Sequence, residues 1–92
     1  MRSFGKNRKD RSGRKQGYWE HYTFSGILLS KGSYKNDKAD GIWEYYHDNG
    51  NLWRKGLYLK GELHGYWDHY RIDGKLVRKK LFDNGDYIDF VK

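Results

Sequence analysis

The side chains that could support catalysis recur at one spacing, and that spacing argues against catalysis. Glu20, Glu44 and Asp68 stand 24 residues apart. A working acid–base pair needs two carboxyls whose surroundings push their pKa values apart. Three acids repeated at one interval sit in three similar surroundings, as structural ion-pair partners do. His21 and His69 share a repeat position that Tyr45 fills in between, while His47 and His64 occupy two others. The chain has no Cys, and no short His spacing suggests zinc. It also lacks a glycine-rich phosphate loop and a Ser/His/Asp set. These features predict a protein that is not an enzyme and needs no cofactor and no metal. What remains is surface chemistry. Trp43, Tyr45, Tyr46, Trp53, Tyr22 and Tyr70 are candidates for contacting a partner. Arg8, Lys9, Arg11, Arg14 and Lys15 are candidates for gripping nucleic acid or an acidic partner.

The elements that must position these residues come from an internal repeat. Gly17, Gly41 and Gly65 open three equivalent blocks, residues 17–40, 41–64 and 65–88. Each block has Trp at its third position (Trp19, Trp43, Trp67), an acid at the fourth and Tyr at the sixth (Tyr22, Tyr46, Tyr70). Gly follows at the tenth (Gly26, Gly50, Gly74), Leu at the twelfth, Lys at the fifteenth (Lys31, Lys55, Lys79) and an aromatic at the eighteenth. A fixed period of this size is the mark of a repeat architecture. Short aromatic runs that end in Ser-Gly, Asn-Gly or Asp-Gly predict β-hairpins. A three-residue loop closed by a left-handed Gly suits Ser25 better than a type I′ turn does.

That loop sets positions summing to eighteen opposite each other. Glu44 then faces Arg54, Asp68 faces Arg78, Tyr46 faces Leu52 and Tyr70 faces Leu76, with Ile42 over Gly56 and Tyr18 over Gly32. The alternative register sets Glu44 against Lys55 and Trp43 against Gly56. The return strands are predicted over Ile27–Lys35, Asn51–Leu59 and Lys75–Asp83. Lys60-Gly61 and Asn84-Gly85 join them onward, whereas the first junction, Asn36 to Asp40, lacks Gly and reads as looser. A closing strand over residues 86–91 restarts the pattern, with Asp89, Phe90 and Val91 in a fragment of a fourth block. The expected fold is all-β, an antiparallel meander of about seven strands in one twisted, elongated sheet.

Charge separates two regions. Of the net +7, residues 2–15 carry seven basic residues and one acid, so +6, and residues 17–92 carry twelve and eleven, so +1. Residues 1–16, which include Arg2 and Lys6, read as a flexible basic arm. The arm admits three readings: a solvated tail, a phosphate-binding segment for nucleic acid, or a contact for an acidic protein. It has no amphipathic pattern for lipid. The repeat domain is not disordered in composition, since 18% of the chain is aromatic. No run is apolar enough to span a bilayer, and the N-terminus lacks the apolar core of a secretory signal. A cytoplasmic protein is the expectation.

The motif G-x-W-x-x-Y-x-x-x-G-x-L, continued by K-G-x-Y, resembles the MORN repeat, and more closely its bacterial variant. The resemblance covers Gly17 to about Lys92. Lys80 departs from it where Gly32 and Gly56 stand, and Asn36-Asp37 departs from the Gly-containing junction. The resemblance implies a row of hairpins whose aromatics line a shallow groove, and an interaction module. Some bacterial members, of the YwqK type, are described as antitoxins that bind and block a toxin; eukaryotic members have been linked to phospholipids and to junctions.

The Trp and Tyr ladders point to opposite faces, because positions three and six differ by an odd number. One ladder is the core; the other is shielded by the tail, the loops or a second subunit, or it binds a partner. The leading expectation is a protein-binding module, most concretely an inhibitor or antitoxin that docks a partner protein through an aromatic sheet face. The alternative is a nucleic-acid binder that uses the arm and stacking aromatics. A homodimer through an exposed sheet edge fits as well.

Overall fold

The computed structural model describes residues 7–88. Asp89, Phe90 and Val91, and Arg2 and Lys6 of the arm, lie outside the described residues. Those described form one antiparallel sheet of nine strands: β1 (Arg8–Lys9), β2 (Lys15–Tyr22), β3 (Leu28–Lys35), β4 (Lys38–Ala39), β5 (Gly41–Tyr46), β6 (Leu52–Leu59), β7 (Glu62–Tyr70), β8 (Leu76–Asp83) and β9 (Asp86–Ile88). Neighbours in sequence are neighbours in space, in the order β1-β2-β3-β5-β6-β7-β8-β9, with β4 also on β3. The count exceeds seven for two reasons. Residues 8–9, within the segment read as a basic arm, pair with Lys15 and Gln16. One strand of the meander is also broken at Asp40, dividing β4 from β5.

The loops are three residues long, as the Gly position predicts. Thr23 N–H donates to the Ile27 carbonyl at 2.8 Å, and Gly26 N–H donates to the Thr23 carbonyl at 3.0 Å. The bonds recur around Gly50 and Gly74, and all three glycines have φ between 91° and 95°. The first junction is not looser than the others. Asn36 and Asp37 both take positive φ (50° and 71°), as Lys60-Gly61 and Asn84-Gly85 do. Asn and Asp tolerate that region, and the Asp37 carboxylate also accepts from Lys15 N–H at 2.8 Å.

The register is a composite. The sum of eighteen holds beside each loop, where Tyr22, Tyr46 and Tyr70 face Leu28, Leu52 and Leu76. A bulge then leaves Leu29, Trp53 or Val77 as an extra residue on the return strand, and the alternative pairing takes over. Glu44 faces Lys55, Asp68 faces Lys79 and Trp43 faces Gly56. The expected Glu44–Arg54 and Asp68–Arg78 pairs therefore do not form: Arg54 faces Tyr45 and Arg78 faces His69. Ile42 lies opposite Leu57 rather than Gly56, and Tyr18 opposite Ser33 rather than Gly32. The loop fixes the nearest pair and the acid–lysine pairs Glu44–Lys55 and Asp68–Lys79 go with the far ones; one inserted residue reconciles them.

The core is the tryptophan ladder. Trp19, Trp43 and Trp67 are 9%, 3% and 0% exposed. Trp43 lies flat over Gly32 and Trp67 over Gly56, so close that a Cβ at either glycine would stand 2.2 Å from the indole. Each indole N–H passes over the neighbouring strand to a backbone carbonyl: Trp43 to Ser33 at 2.9 Å, Trp67 to Leu57 at 3.0 Å. Trp19 has no earlier repeat to cover, and its N–H reaches Arg8 at 3.0 Å.

Candidate functional site: two unlike faces of one sheet

The tryptophan face is closed by its own aromatics. Trp19, His21, Trp43, Tyr45 and Trp67 follow one another at centroid distances of 5.9 to 6.3 Å. Tyr34 and Tyr58 stand edge-on among them at 5.0 to 6.1 Å. Their hydroxyls are used internally: Tyr34 with His21 Nε2 at 3.1 Å, Tyr58 with the Tyr45 hydroxyl at 2.9 Å. Burial and the Tyr58 hydroxyl hold the Tyr45 phenol above its ordinary pKa. Burial, helped by Lys15, lowers the pKa of His21. Arg54 lies over Tyr45 at 4.4 Å, Trp53 at 4.8 Å and Trp67 at 5.8 Å. Its Nε is buried with no hydrogen-bond partner among the described residues, so the rings hold it by cation–π attraction.

The opposite face is open, and its organising feature is a row of charge. In register across six strands run Glu20, Lys31, Glu44, Lys55, Asp68 and Lys79, strictly alternating in sign. Glu44 lies 3.6 Å from Lys31 and 3.4 Å from Lys55, and Asp68 lies 2.7 Å from Lys79. Tyr46 donates its hydroxyl to Glu44 at 2.5 Å. That bond, with the two lysines, lowers the pKa of Glu44, while burial and the same carboxylate raise that of Tyr46. Tyr18 donates to Glu20 at 2.7 Å, and Tyr22 also donates to Glu20. Apolar groups flank the row on both sides. Toward the junctions stand Tyr18, Ile42 and Tyr66, which are 40%, 56% and 56% exposed. Toward the loops the tyrosine ladder alternates with Leu28, Leu52 and Leu76.

The structure therefore divides the aromatic candidates. Trp43 and Tyr45 belong to the tryptophan face, Trp43 in the core and Tyr45 half-buried above it. Tyr22, Tyr46 and Tyr70 line the open face. Trp53 is exposed on the bulge, against Tyr45, His47 and Arg54. It borders a depression of about 350 Å³ that Leu29, Tyr46, His47, Asp48 and Ile72 complete. A second hollow of about 270 Å³, lined by Lys35, Asn36, Lys38, Asp40 and Lys60, lies at the junction end.

The basic candidates divide as well. Lys15 is drawn onto the aromatic layer, 5.4 Å from Trp19 and 5.3 Å from Tyr34. Arg14 pairs with Asp10 at 2.9 Å. Arg8, Lys9 and Arg11 are exposed. Among the histidines, His47 Nε2 donates to the Tyr70 carbonyl at 3.0 Å, and His64 Nδ1 accepts from Asn84 N–H at 3.2 Å. No three His, Asp or Glu side chains converge as metal ligands among the described residues.

Two segments of the chain, residues 15–36 and 39–60, match the MORN repeat variant. They are the first two hairpins, each taken from the start of its outgoing strand to its junction turn. The third hairpin has the same strand pairing but carries Lys80 where the others have Gly. No curated protein and no solved structure matches the chain. No helix of the described residues is long and apolar enough to cross a membrane. Repeats of this kind are generally associated with binding.

Proposed function

We propose that this chain is a protein-docking module that receives a partner protein on its tyrosine face, most concretely as an inhibitor or antitoxin-like protein that covers a working surface of its target. One observation carries the reading. The tryptophans satisfy the whole core from one side, yet the other side repeats large apolar groups at solvent-exposed positions in every hairpin. Ordered rows of this kind exceed the scattered apolar residues of an ordinary surface. Tyr is also the side chain that supplies contact area at low entropic cost and keeps a polar end.

The charge row refines the partner's chemistry. Its three acids and three lysines cancel, so the face is close to neutral although the chain carries +7. The partner surface is then mainly apolar with charges of both signs, not an acidic mimic of nucleic acid. The exposed Arg8, Lys9 and Arg11 support a second, separable contact with phosphate. The test is capture of bound proteins by the full chain, with and without nuclease, beside an Arg8→Ser/Lys9→Ser/Arg11→Ser variant that leaves the β1 backbone in place. Protein docking predicts the same captured partner in all four arms. A capture that vanishes with nuclease and with the triple variant transfers the function to the phosphate contact.

A further inference from the structure

We propose that the tyrosine face is self-complementary and that its resident occupant is a second copy of this chain, packed face to face. This rests on the reading of that face as a docking surface and names the partner that covers it. The argument is one of order. Across β2, β3, β5, β6, β7 and β8 the charges run Glu20, Lys31, Glu44, Lys55, Asp68, Lys79. Place a second copy over the first by a two-fold axis that runs along the strands between β5 and β6. The first strand of one copy then meets the sixth of the other, the second meets the fifth, and the third meets the fourth. Glu20 faces Lys79, Lys31 faces Asp68 and Glu44 faces Lys55, each twice. Every acid meets a base.

The same operation matches the flanking row. Tyr22, Leu28, Tyr46, Leu52, Tyr70 and Leu76 alternate in strand order, so reversal brings each Tyr onto a Leu. On the junction side it brings Ile42 to Leu57. The match is a property of an even number of antiparallel strands that alternate in side-chain type. An isologous contact needs a surface complementary to itself, and the axis keeps the strands aligned, as in β-sandwiches.

Size sets the strength. Six strands at about 4.8 Å and rows spread over about five residues cover roughly 500 Å² per copy in flat projection, or about 1,000 Å² for the pair. That is the low end for a specific contact, so the dimer is reversible. A docked partner and a second copy cannot share the face, and the dimer is then the form in which the module waits.

Charge swaps at the axis test this by sedimentation velocity over a concentration series. Wild type is expected to move from the 11.1 kDa chain toward twice that mass as concentration rises. Lys55→Glu sets acid against acid at two places and Glu44→Lys sets base against base, so each alone weakens the dimer by about a hundredfold or more. An equal mixture of the two variants restores complementarity and is expected to dimerise. Circular dichroism confirms that each variant is folded; Ile42→Arg, at an exposed site beside the axis, replaces any that is not and is expected to be monomeric. A wild-type monomer throughout, a dimer indifferent to these variants, or a mixture that stays monomeric would overturn the proposal. Partner capture separates the two readings. If wild type is monomeric yet Ile42→Arg loses the captured partner, docking stands without the dimer. If the dimer behaves as expected yet Ile42→Arg keeps the partner, docking by this face fails alone.

Discussion

At Gly32 and Gly56 the missing side chain is what the neighbouring repeat needs, because an indole occupies the space of the Cβ. The glycine serves the tryptophan of the next block, which explains why the third block does without it. Lys80 is followed by Val91, not Trp, at the corresponding position. Gly56→Ala is expected to destabilise the chain by about 3 kcal/mol, since neither the backbone nor the packed indole of Trp67 can withdraw. Lys80→Ala is expected to cost about 0.5 kcal/mol or less. Urea unfolding measures both. His21 offers a pH test. Its folded pKa lies below the ordinary value, chiefly from burial, so the unfolded chain binds the proton more readily. Its contribution is complete above about pH 6.5 and is lost as pH falls through that value toward the folded pKa. His21→Tyr copies the Tyr45–Tyr58 pair of the middle repeat onto Tyr34. The variant is expected to lose less stability than wild type between about pH 7 and 5; an equal loss in both would place the acid sensitivity elsewhere, with the lowered His69 the next candidate.

Hairpins, loops and the two-faced alternation were legible in the sequence because each rests on local rules: Gly at the tenth position, period-two strands, Asn-Gly at a junction. The bulge was not. Leu29, Trp53 and Val77 are apolar like the Leu before each and carry no turn or bulge signal, and the loop register and the alternative Trp43–Gly56 pairing each look satisfied when considered alone. One signal pointed to the right pairing. Lys recurs at the fifteenth position of every block, whereas the fourteenth holds Ser30, Arg54 and Arg78. An acid present in every repeat needs a base present in every repeat, so the charge row could have set the register. Because the bulge tolerates any of its three residues, Trp53→Val is expected to cost about 1 kcal/mol or less, despite the size of the side chain lost. The N-terminal hairpin was hidden by its composition. Asn7 N–H donates to the Tyr18 carbonyl at 2.8 Å, and its Oδ1 accepts from Glu20 N–H at 2.9 Å. Together with the Arg8 carbonyl on Trp19, this short element supplies to the first repeat what β3 supplies to the second. A chain that begins at Gly17 is expected to melt several degrees lower, about 4–8 °C for each kcal/mol lost; an unchanged melting temperature would show that the hairpin contributes no cap.

The described residues extend over 53 × 30 × 21 Å, as expected for a repeat array that stacks in one direction. Such an array is one sheet thick, so it has one face to spend on a core and one to present. Trp and Tyr are both aromatic, and alternation alone cannot say which is which. The packing of indole over glycine decides it, and it makes the tyrosine face the outward one. The partner candidates of the two faces should therefore separate in binding. The direct measurement is capture of the partner by wild type, by Ile42→Arg/Tyr66→Arg on the tyrosine face, and by Trp53→Arg on the tryptophan side, each shown to be folded by near-ultraviolet circular dichroism. The account predicts that the first pair of substitutions abolishes capture and that Trp53→Arg leaves it within about threefold, since an arginine there stays in solvent. Capture that survives on the altered tyrosine face and disappears with Trp53→Arg would contradict it.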